Sequence, residues 1–136
     1  MKIAIIGYGK MGHAIAATAR ERGHDIDLII DADNAADLNT ENLANIDVAI
    51  EFSSPDSAFD NILACIRGNT PVVSGTTGWL DRMEEVQRAC KEYSGAFFYA
   101  SNFSIGVNIL FAVNTKLAEM MNCFPQYDVQ LEEISA

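Results

Sequence analysis

The sequence has 136 residues, enough for one domain with a substantial hydrophobic core and too few for two domains of ordinary size. Apolar residues make up 49%, and 19 acidic against 9 basic residues give a formal net charge of −10. This excess of negative charge argues against nucleic acid and an anionic membrane surface as main partners, although backbone dipoles can still bind a small anionic ligand locally.

The N-terminus and the cysteines favour a cytoplasmic, reducing location. Four apolar residues between Lys2 and Gly7 are too few for a signal peptide, and no apolar run reaches transmembrane length. Cys65, Cys90 and Cys123 are widely spaced and form no metal-ligand pattern with the two histidines. We therefore expect buried, reduced thiols, no metal site and no contact with a membrane.

Short apolar runs alternate with segments of helical spacing along the whole chain. The runs predict buried parallel strands, and the caps between them predict helices. In chain order, the sequence predicts a strand over 2–6, a helix over 11–22, a strand over 26–30, one short helix with loops over 32–46, a strand over 47–52, a helix over 55–67, a strand over 71–74, a helix over 80–93, a strand over 96–100, a helix over 105–122 and a strand over 127–134. The alternation predicts an α/β fold of Rossmann type in a single domain over 1–136, with a doubly wound parallel sheet of about six strands and helices on both faces.

The first predicted strand runs directly into Gly7-Tyr8-Gly9-Lys10-Met11-Gly12, and the first helix follows. Three glycines at this spacing between a strand and a helix are typical of a dinucleotide site. Gly7 permits a sharp turn, Gly9 lets the backbone approach a pyrophosphate, and Gly12 lets the helix pack closely on the strand. The helix N-terminus offers unpaired N–H groups to the phosphates.

Asp31 ends the second predicted strand, nineteen residues after Gly12. A carboxylate at this distance from the glycine motif accepts hydrogen bonds from the adenine ribose hydroxyls. The acidic side chain also disfavours a 2′-phosphate, and Ala32 stands where an arginine would accept one. Asp33 adds further negative charge, whereas Lys10 offers a positive charge from the glycine turn. The sequence therefore predicts that NADH binds at least as well as NADPH.

Three loops after later strands are further candidates, because ligands of such sheets bind beyond the carboxyl ends of the strands. Phe52 follows the third strand and is suited to contact the adenine or ribose, although for this loop taken alone a core phenylalanine before a helix cap is the better explanation. The segment 74–79 sets two threonines between two glycines, which favours ligand contact. Asn102 follows the fifth strand with the donor and the acceptor that a carboxamide requires, and Ser104 serves equally as an N-cap.

Four segments carry a family resemblance that extends over essentially the whole chain: Gly7-Tyr8-Gly9-Lys10-Met11-Gly12, Glu51-Phe52-Ser53, Ser74-Gly75-Thr76-Thr77-Gly78-Trp79 and Ser101-Asn102-Phe103-Ser104-Ile105-Gly106-Val107-Asn108. In order and spacing they resemble the dihydrodipicolinate reductases of bacterial lysine and diaminopimelate synthesis. The resemblance implies hydride transfer from NADH or NADPH to a cyclic, unsaturated dicarboxylate in a homotetramer.

The resemblance also implies roles for individual residues. The pyrophosphate would be held by the glycine turn, at Gly7, Gly9, Lys10, Met11 and Gly12. The adenosine ribose would bind Asp31. The path to the nicotinamide would be lined by Phe52, Gly75, Thr77, Asn102 and Phe103.

The chain departs from the family pattern near residue 134. The family continues into a His-His motif, a lysine and an Asp-Ala-Pro-Ser-Gly-Thr-Ala segment, in a domain that binds substrate, supplies the proton donor and builds the tetramer. Here the sequence reads Glu132-Glu133-Ile134-Ser135-Ala136, and no histidine follows His24. We therefore expect the nucleotide-binding domain alone, with no catalytic residue in this chain and with little or no turnover.

Two other functions remain open on the sequence. One is a non-enzymatic NAD(P)-binding sensor or regulatory module, and the other is the N-terminal half of another dehydrogenase, such as a homoserine dehydrogenase or a sugar oxidoreductase. The segments 74–79 and 102–108 favour the reductase, because a sensor has no need of two ligand-facing loops at the nicotinamide end.

Overall fold

The computed structural model describes residues 1–132 and 134. It contains two compact units, Met1–Ser101 and Asn102–Ala136. The first unit consists of β1 (Lys2–Ile6), α1 (Lys10–Glu21), β2 (Asp25–Ile30), a 3-10 helix (Ala32–Asp37), α2 (Thr40–Leu43), β3 (Val48–Glu51), α3 (Pro55–Arg67), β4 (Val72–Ser74), a 3-10 helix (Leu80–Arg82), α4 (Met83–Glu92) and β5 (Phe97–Tyr99). The second unit contains α5 (Ile105–Met121). The assignment of 1–136 to one domain stays a prediction.

The sheet of the first unit has five parallel strands in the order β2-β1-β3-β4-β5. The chain leaves β1 in one direction to form β2 and then returns to the other side of β1 to form β3. Such a reversal opens a crevice at the carboxyl ends of β1 and β3, where doubly wound sheets bind their ligands. The predicted Rossmann-type parallel sheet is confirmed.

Helices cover both faces of this sheet, because successive side chains of a strand point to opposite faces. Ala4 and Ile6 belong to the larger buried cluster, together with side chains of α2, α3 and α4. Ile3 and Ile5 belong to a second cluster with Ala16 and Ala19 of α1. The two clusters pack helices against opposite faces of the sheet and hold the carboxyl ends of its central strands in place.

The predicted strand over 127–134 is not formed in the part that the structure describes, residues 127–132 and 134. These residues are exposed and lack the ladder of a neighbouring strand. A lone strand leaves its backbone groups unpaired, so alternation of side chains alone does not produce one. The sheet accordingly has five strands among the described residues, close to the six expected.

Two smaller expectations are also corrected. The segment 32–46 holds two short helical pieces instead of one, since Asp31 caps the 3-10 helix and Asn39 caps α2. Cys65 is buried and Cys90 half-buried, but Cys123 is exposed. Within the described residues, no helix is both long enough and apolar enough to cross a bilayer.

Candidate dinucleotide site

The glycine turn between β1 and α1 assigns a different physical task to each glycine. Gly7 has φ +88°, and a Cβ there would collide with the carbonyl oxygen of Phe52. A Cβ on Gly12 would collide with the carbonyl oxygen of Gly7. Gly9 is the N-cap of α1, and a Cβ there would meet no atom within 4 Å. Gly7 and Gly12 thus permit close packing inside the protein, whereas Gly9 faces open space.

Two neighbouring cavities lie along the carboxyl edge of the sheet in the described part of the chain. The first, of about 420 Å³, is lined by Ile6, Gly7, Tyr8, Gly9, Ile30, Asp31, Ala32, Ala35, Phe52, Ser53, Ser54, Ser57 and Asn61. The second, of about 400 Å³, is lined by Gly9, Lys10, Met11, Phe52, Ser53, Pro55, Gly75, Thr76 and Thr77. Gly9, Phe52 and Ser53 border both. Both cavities lie beside the N-terminus of α1, which attracts anions.

The first cavity contains Asp31, directly after β2. Its carboxylate accepts a hydrogen bond from the backbone N–H of Ala32 at 3.0 Å, and its own N–H donates to Oδ1 of Asn34 at 2.7 Å. The side chain is exposed and therefore accessible from the cavity. The bond from Ala32 orients the Asp31 carboxylate, and the bond to Asn34 holds the Asp31 backbone at the end of β2.

Phe52 is held tightly between two strand ends. Its N–H donates to the carbonyl oxygen of Ile6 at 2.8 Å, and the N–H of Gly75 donates to the carbonyl oxygen of Glu51 at 3.0 Å. A Cβ on Gly75 would collide with the Phe52 ring. Gly75 is therefore a glycine because the ring lies against its backbone. Phe52 borders both cavities.

The second cavity is walled by the start of α1 and by the loop after β4. Lys10 and Met11 are exposed in the first turn of the helix, and Thr77 is exposed in the loop. The loop is anchored by Trp79, which is 2% exposed and donates from Nε1 to the carbonyl oxygen of Thr76 at 2.7 Å. Phe97 and Tyr99 of β5 make edge contacts with the indole. Trp79 thus anchors the loop after β4 to the hydrophobic core, while Thr76 and Thr77 of this loop line the second cavity.

Sequence reasoning gave Glu51 no role of its own, yet it lies at the centre of a hydrogen-bond cluster between these loops. Glu51 is the last residue of β3 and is 0% exposed. Its carboxylate binds Ser53, Ser74 and Thr76. Burial first, and then the nearby charge of Glu51, raise the pKa of the Cys65 thiol to about 12, so that thiol stays protonated. A carboxylate ending an apolar strand, with hydroxyl residues in both adjoining loops, was the available signal.

Asn102 and Phe103 lie at the start of the second unit. Asn102 accepts a hydrogen bond from the N–H of Ser104 at 2.8 Å through Oδ1. Ser104 is the N-cap of α5 and accepts from the N–H of Val107 at 3.4 Å, as one of the two interpretations expected. Nδ2 of Asn108 donates to the carbonyl oxygens of Asn102 and Ser104 at 3.0 and 2.8 Å. Phe103 is 45% exposed. The segment is therefore a well-formed helix start within its own unit.

The donor set of the two cavities suits a nucleotide. Over residues 1–132 and 134, no group of three histidine, cysteine, aspartate or glutamate side chains is placed to hold a metal. The two cavities instead combine backbone N–H groups, hydroxyls, an aromatic ring and one carboxylate. This mixture of apolar surface and a few directed polar groups is typical of cofactor sites.

Comparison with known proteins gives a consistent family. Residues 1–103 match the family model described as "Dihydrodipicolinate reductase, N-terminus". A 4-hydroxy-tetrahydrodipicolinate reductase of Christiangramia forsetii is 49% identical over 135 residues, covering 98% of this chain and 55% of the relative. One of Natronomonas pharaonis is 32% identical over 142 residues, covering 98% and 56%. The chain spans about half the length of the curated relatives it matches.

Solved structures agree in fold. A dipicolinate-bound dihydrodipicolinate reductase of a Paenisporosarcina species superposes with a TM-score of 0.68 at 22% identity, covering 91% of this chain and 54% of that one. A hyperthermophilic archaeal homoserine dehydrogenase in complex with NADPH gives 0.56 at 15% identity, covering 72% and 43%. At these identities the likeness extends to the fold alone.

Proposed function

Since the chain belongs to the dihydrodipicolinate reductase family, we propose that residues 1–136 are the cofactor-binding domain of a 4-hydroxy-tetrahydrodipicolinate reductase. The observation that carries this proposal is the pair of cavities that meet at Gly9, Phe52 and Ser53. A dinucleotide has two halves joined by a pyrophosphate, and the cavities meet where the N-terminus of α1 would receive it.

The proposed binding mode places one half of the cofactor in each cavity. The pyrophosphate lies over Gly9 and the first turn of α1, with Gly7 and Gly12 shaping the turn and with Lys10 and Met11 beside it. The adenosine ribose lies against Asp31. The nicotinamide half extends along Phe52, Gly75 and Thr77. The contacts that the family resemblance implies for Asn102 and Phe103, which lie in the second unit, stay predictions.

When bound, NADH or NADPH supplies the hydride, and the protein binds and orients the dinucleotide. The exposed backbone at Gly9 and the free N–H groups of α1 neutralise the phosphates. The anchored loop 75–78 and the ring of Phe52 form a rigid wall for the nicotinamide half. We assign no catalytic residue to this chain and propose that its partners are the dinucleotide and, in the whole enzyme, a small dicarboxylate.

A titration with reduced dinucleotide tests the proposal directly. Trp79 is the single tryptophan of the chain. Its indole N–H donates a hydrogen bond to the carbonyl oxygen of Thr76, which lines the second cavity. Its emission overlaps the absorption of reduced nicotinamide, so binding is expected to quench it in a saturable manner. Calorimetry on the same samples gives the stoichiometry, for which one dinucleotide per chain is expected. Absence of saturable binding of both NADH and NADPH at millimolar concentration would contradict the proposal.

We further propose that NADH binds at least as tightly as NADPH, because the carboxylate of Asp31 would repel a 2′-phosphate. Replacing Asp31 by serine removes the charge and keeps a side chain that can cap the 3-10 helix. NADH affinity is expected to fall about tenfold, or about 1.4 kcal/mol, while NADPH affinity stays equal or rises. Dissociation constants for both cofactors provide the measurement.

Asp33→Ser is the matched control for this variant. It removes the same charge two residues away, outside the lining of either cavity. The NADH to NADPH ratio is expected to change less than about twofold, because an exposed charge at that distance is largely screened. An equal shift in both variants would assign the preference to overall charge instead of to contact with the ribose.

A further inference from the structure

Glu51 is a buried carboxylate without a cation. It is 0% exposed, and the ion pairs formed by described residues, Lys2–Asp27, Arg82–Glu85 and Lys116–Glu119, do not include it. A buried charge is costly unless hydrogen bonds satisfy its oxygens. The hydrogen bonds of such a group at the end of a central strand must therefore offset the cost of its burial, and they can also hold neighbouring segments in place.

Among the described residues, four donors satisfy this carboxylate. Oε1 accepts from the N–H of Ser53 at 3.0 Å, from the Thr76 hydroxyl at 2.9 Å and from the Ser53 hydroxyl. Oε2 accepts from the Ser74 hydroxyl at 2.5 Å. The carboxylate thus joins the segment after β3 to the segment after β4.

The directions of these bonds follow from the outer neighbours of the hydroxyls. Oγ1 of Thr76 accepts from the N–H of Ser53 at 2.9 Å, so its own proton is available to Glu51. Oγ of Ser53 accepts from Ser57 at 3.1 Å and from Asn61 at 3.2 Å, so its proton too points to Glu51. Glu51 therefore accepts the hydroxyl protons of Ser53 and Thr76.

We propose that Glu51 is a positioning residue that holds the two loops at the mouth of the second cavity, an inference that rests on the proposed dinucleotide function. Ser53 and Thr76 border that cavity, whereas Glu51 and Ser74 border neither cavity. Glu51 thus acts on the ligand only through the loops that it binds.

Ser53 also borders the first cavity, but the adenosine side has further bonds outside the Glu51 cluster. Gly7 donates to the carbonyl oxygen of Ile30 at 2.8 Å, and Asp31 is fixed by Ala32 and Asn34. Loss of the Glu51 cluster therefore affects the half of the site that receives the nicotinamide more than the half that receives adenosine. ADP-ribose, which lacks the nicotinamide, separates the two halves experimentally.

Ser74→Ala removes one donor from the buried carboxylate without touching either cavity. We expect NADH to bind about five- to tenfold more weakly, because a buried acceptor loses its partner and the loops lose their restraint. ADP-ribose affinity is expected to stay within about twofold, since its contacts lie on the adenosine side. Both dissociation constants are measured by calorimetry on the 136-residue chain.

Thr70→Val is the matched control. Thr70 is 2% exposed, and its hydroxyl donates to the carbonyl oxygen of Leu43 at 3.4 Å, away from both cavities. It removes one buried hydroxyl and lowers stability without a change in either affinity. A second pair, Thr76→Val and Thr76→Ser, tests the other side of the cluster: the valine variant is expected to lose NADH affinity, and the serine variant to retain it.

The outcomes separate this inference from the proposed function. If the wild-type chain binds neither NADH nor ADP-ribose, the proposed function fails and the inference fails with it. If the wild type binds both and Ser74→Ala leaves the ratio of the two affinities unchanged, the dinucleotide function stands and the positioning role of Glu51 is overturned. A selective loss of NADH affinity in Ser74→Ala, absent from Thr70→Val, supports it.

Discussion

Replacing Gly9 by valine is expected to lower NADH affinity by about 100-fold or more, or about 2.7 kcal/mol, while the protein stays folded. Gly9 has φ −78°, which any residue adopts, and a Cβ there would meet no protein atom within 4 Å. It borders both cavities at the N-terminus of α1. The valine side chain would therefore occupy the space through which a pyrophosphate approaches the backbone N–H groups.

The measurement combines a calorimetric titration with thermal unfolding of the same variant. The melting temperature is expected to change by no more than a few degrees, since an N-cap change of this kind costs about 1 kcal/mol or less. Gly9→Ala serves as the graded control and is expected to weaken binding less than the valine. NADH affinity within about fivefold of wild type in Gly9→Val would show that the phosphates do not pass this residue.

Replacing Gly7 by alanine is expected to destabilise the fold by about 3–5 kcal/mol. Two costs add up at this position. The φ of +88° is unfavourable for any residue with a side chain, and the new Cβ would collide with the carbonyl oxygen of Phe52. Because that oxygen belongs to the backbone directly after β3, the carboxyl end of β3 has to move before the methyl group fits.

Gly23→Ala separates these two costs. Gly23 has φ +80°, close to that of Gly7, but a Cβ there would meet nothing within 4 Å. The control should therefore lose only the conformational part, about 1–2 kcal/mol. Urea unfolding of both variants measures the difference. Equal losses would show that the close approach of Gly7 to Phe52 carries no energy.

The two glycine variants also show which substitutions are informative about binding. Loss of affinity in a Gly7 or Gly12 variant would mix unfolding with ligand contact, because both glycines are packed against backbone atoms. Gly9 and Asp31 lie at the surface of the cavities, and their changes report on the ligand. The same reasoning favours Ser74→Ala over a direct change of Glu51, which is fully buried at the end of a central strand.

Much of this molecule was predictable because its signals are local. The apolar runs and helix caps predicted the five observed strands and the major helices, since period and capping depend on residues only a few positions apart. The structural tasks of Gly7 and Gly12 followed from their spacing for the same reason, whereas the approach of a pyrophosphate to Gly9 stays a prediction. Pro55 at the first position of α3 and Ser104 at the cap of α5 are further cases.

Only the tertiary structure decided how the loops combine. The register of β3 and β4 pairs Glu51 with Ser74, twenty-three positions apart, and so creates the buried carboxylate cluster and the contact of Phe52 with Gly75. The strand expected over 127–134 is absent from the described residues 127–132 and 134. Alternating side chains indicate a buried face, but a strand forms only where a neighbouring strand pairs its backbone. Sequence patterns determined the elements and the glycine turn of this protein, whereas pairing between distant segments determined which side chains share a cavity.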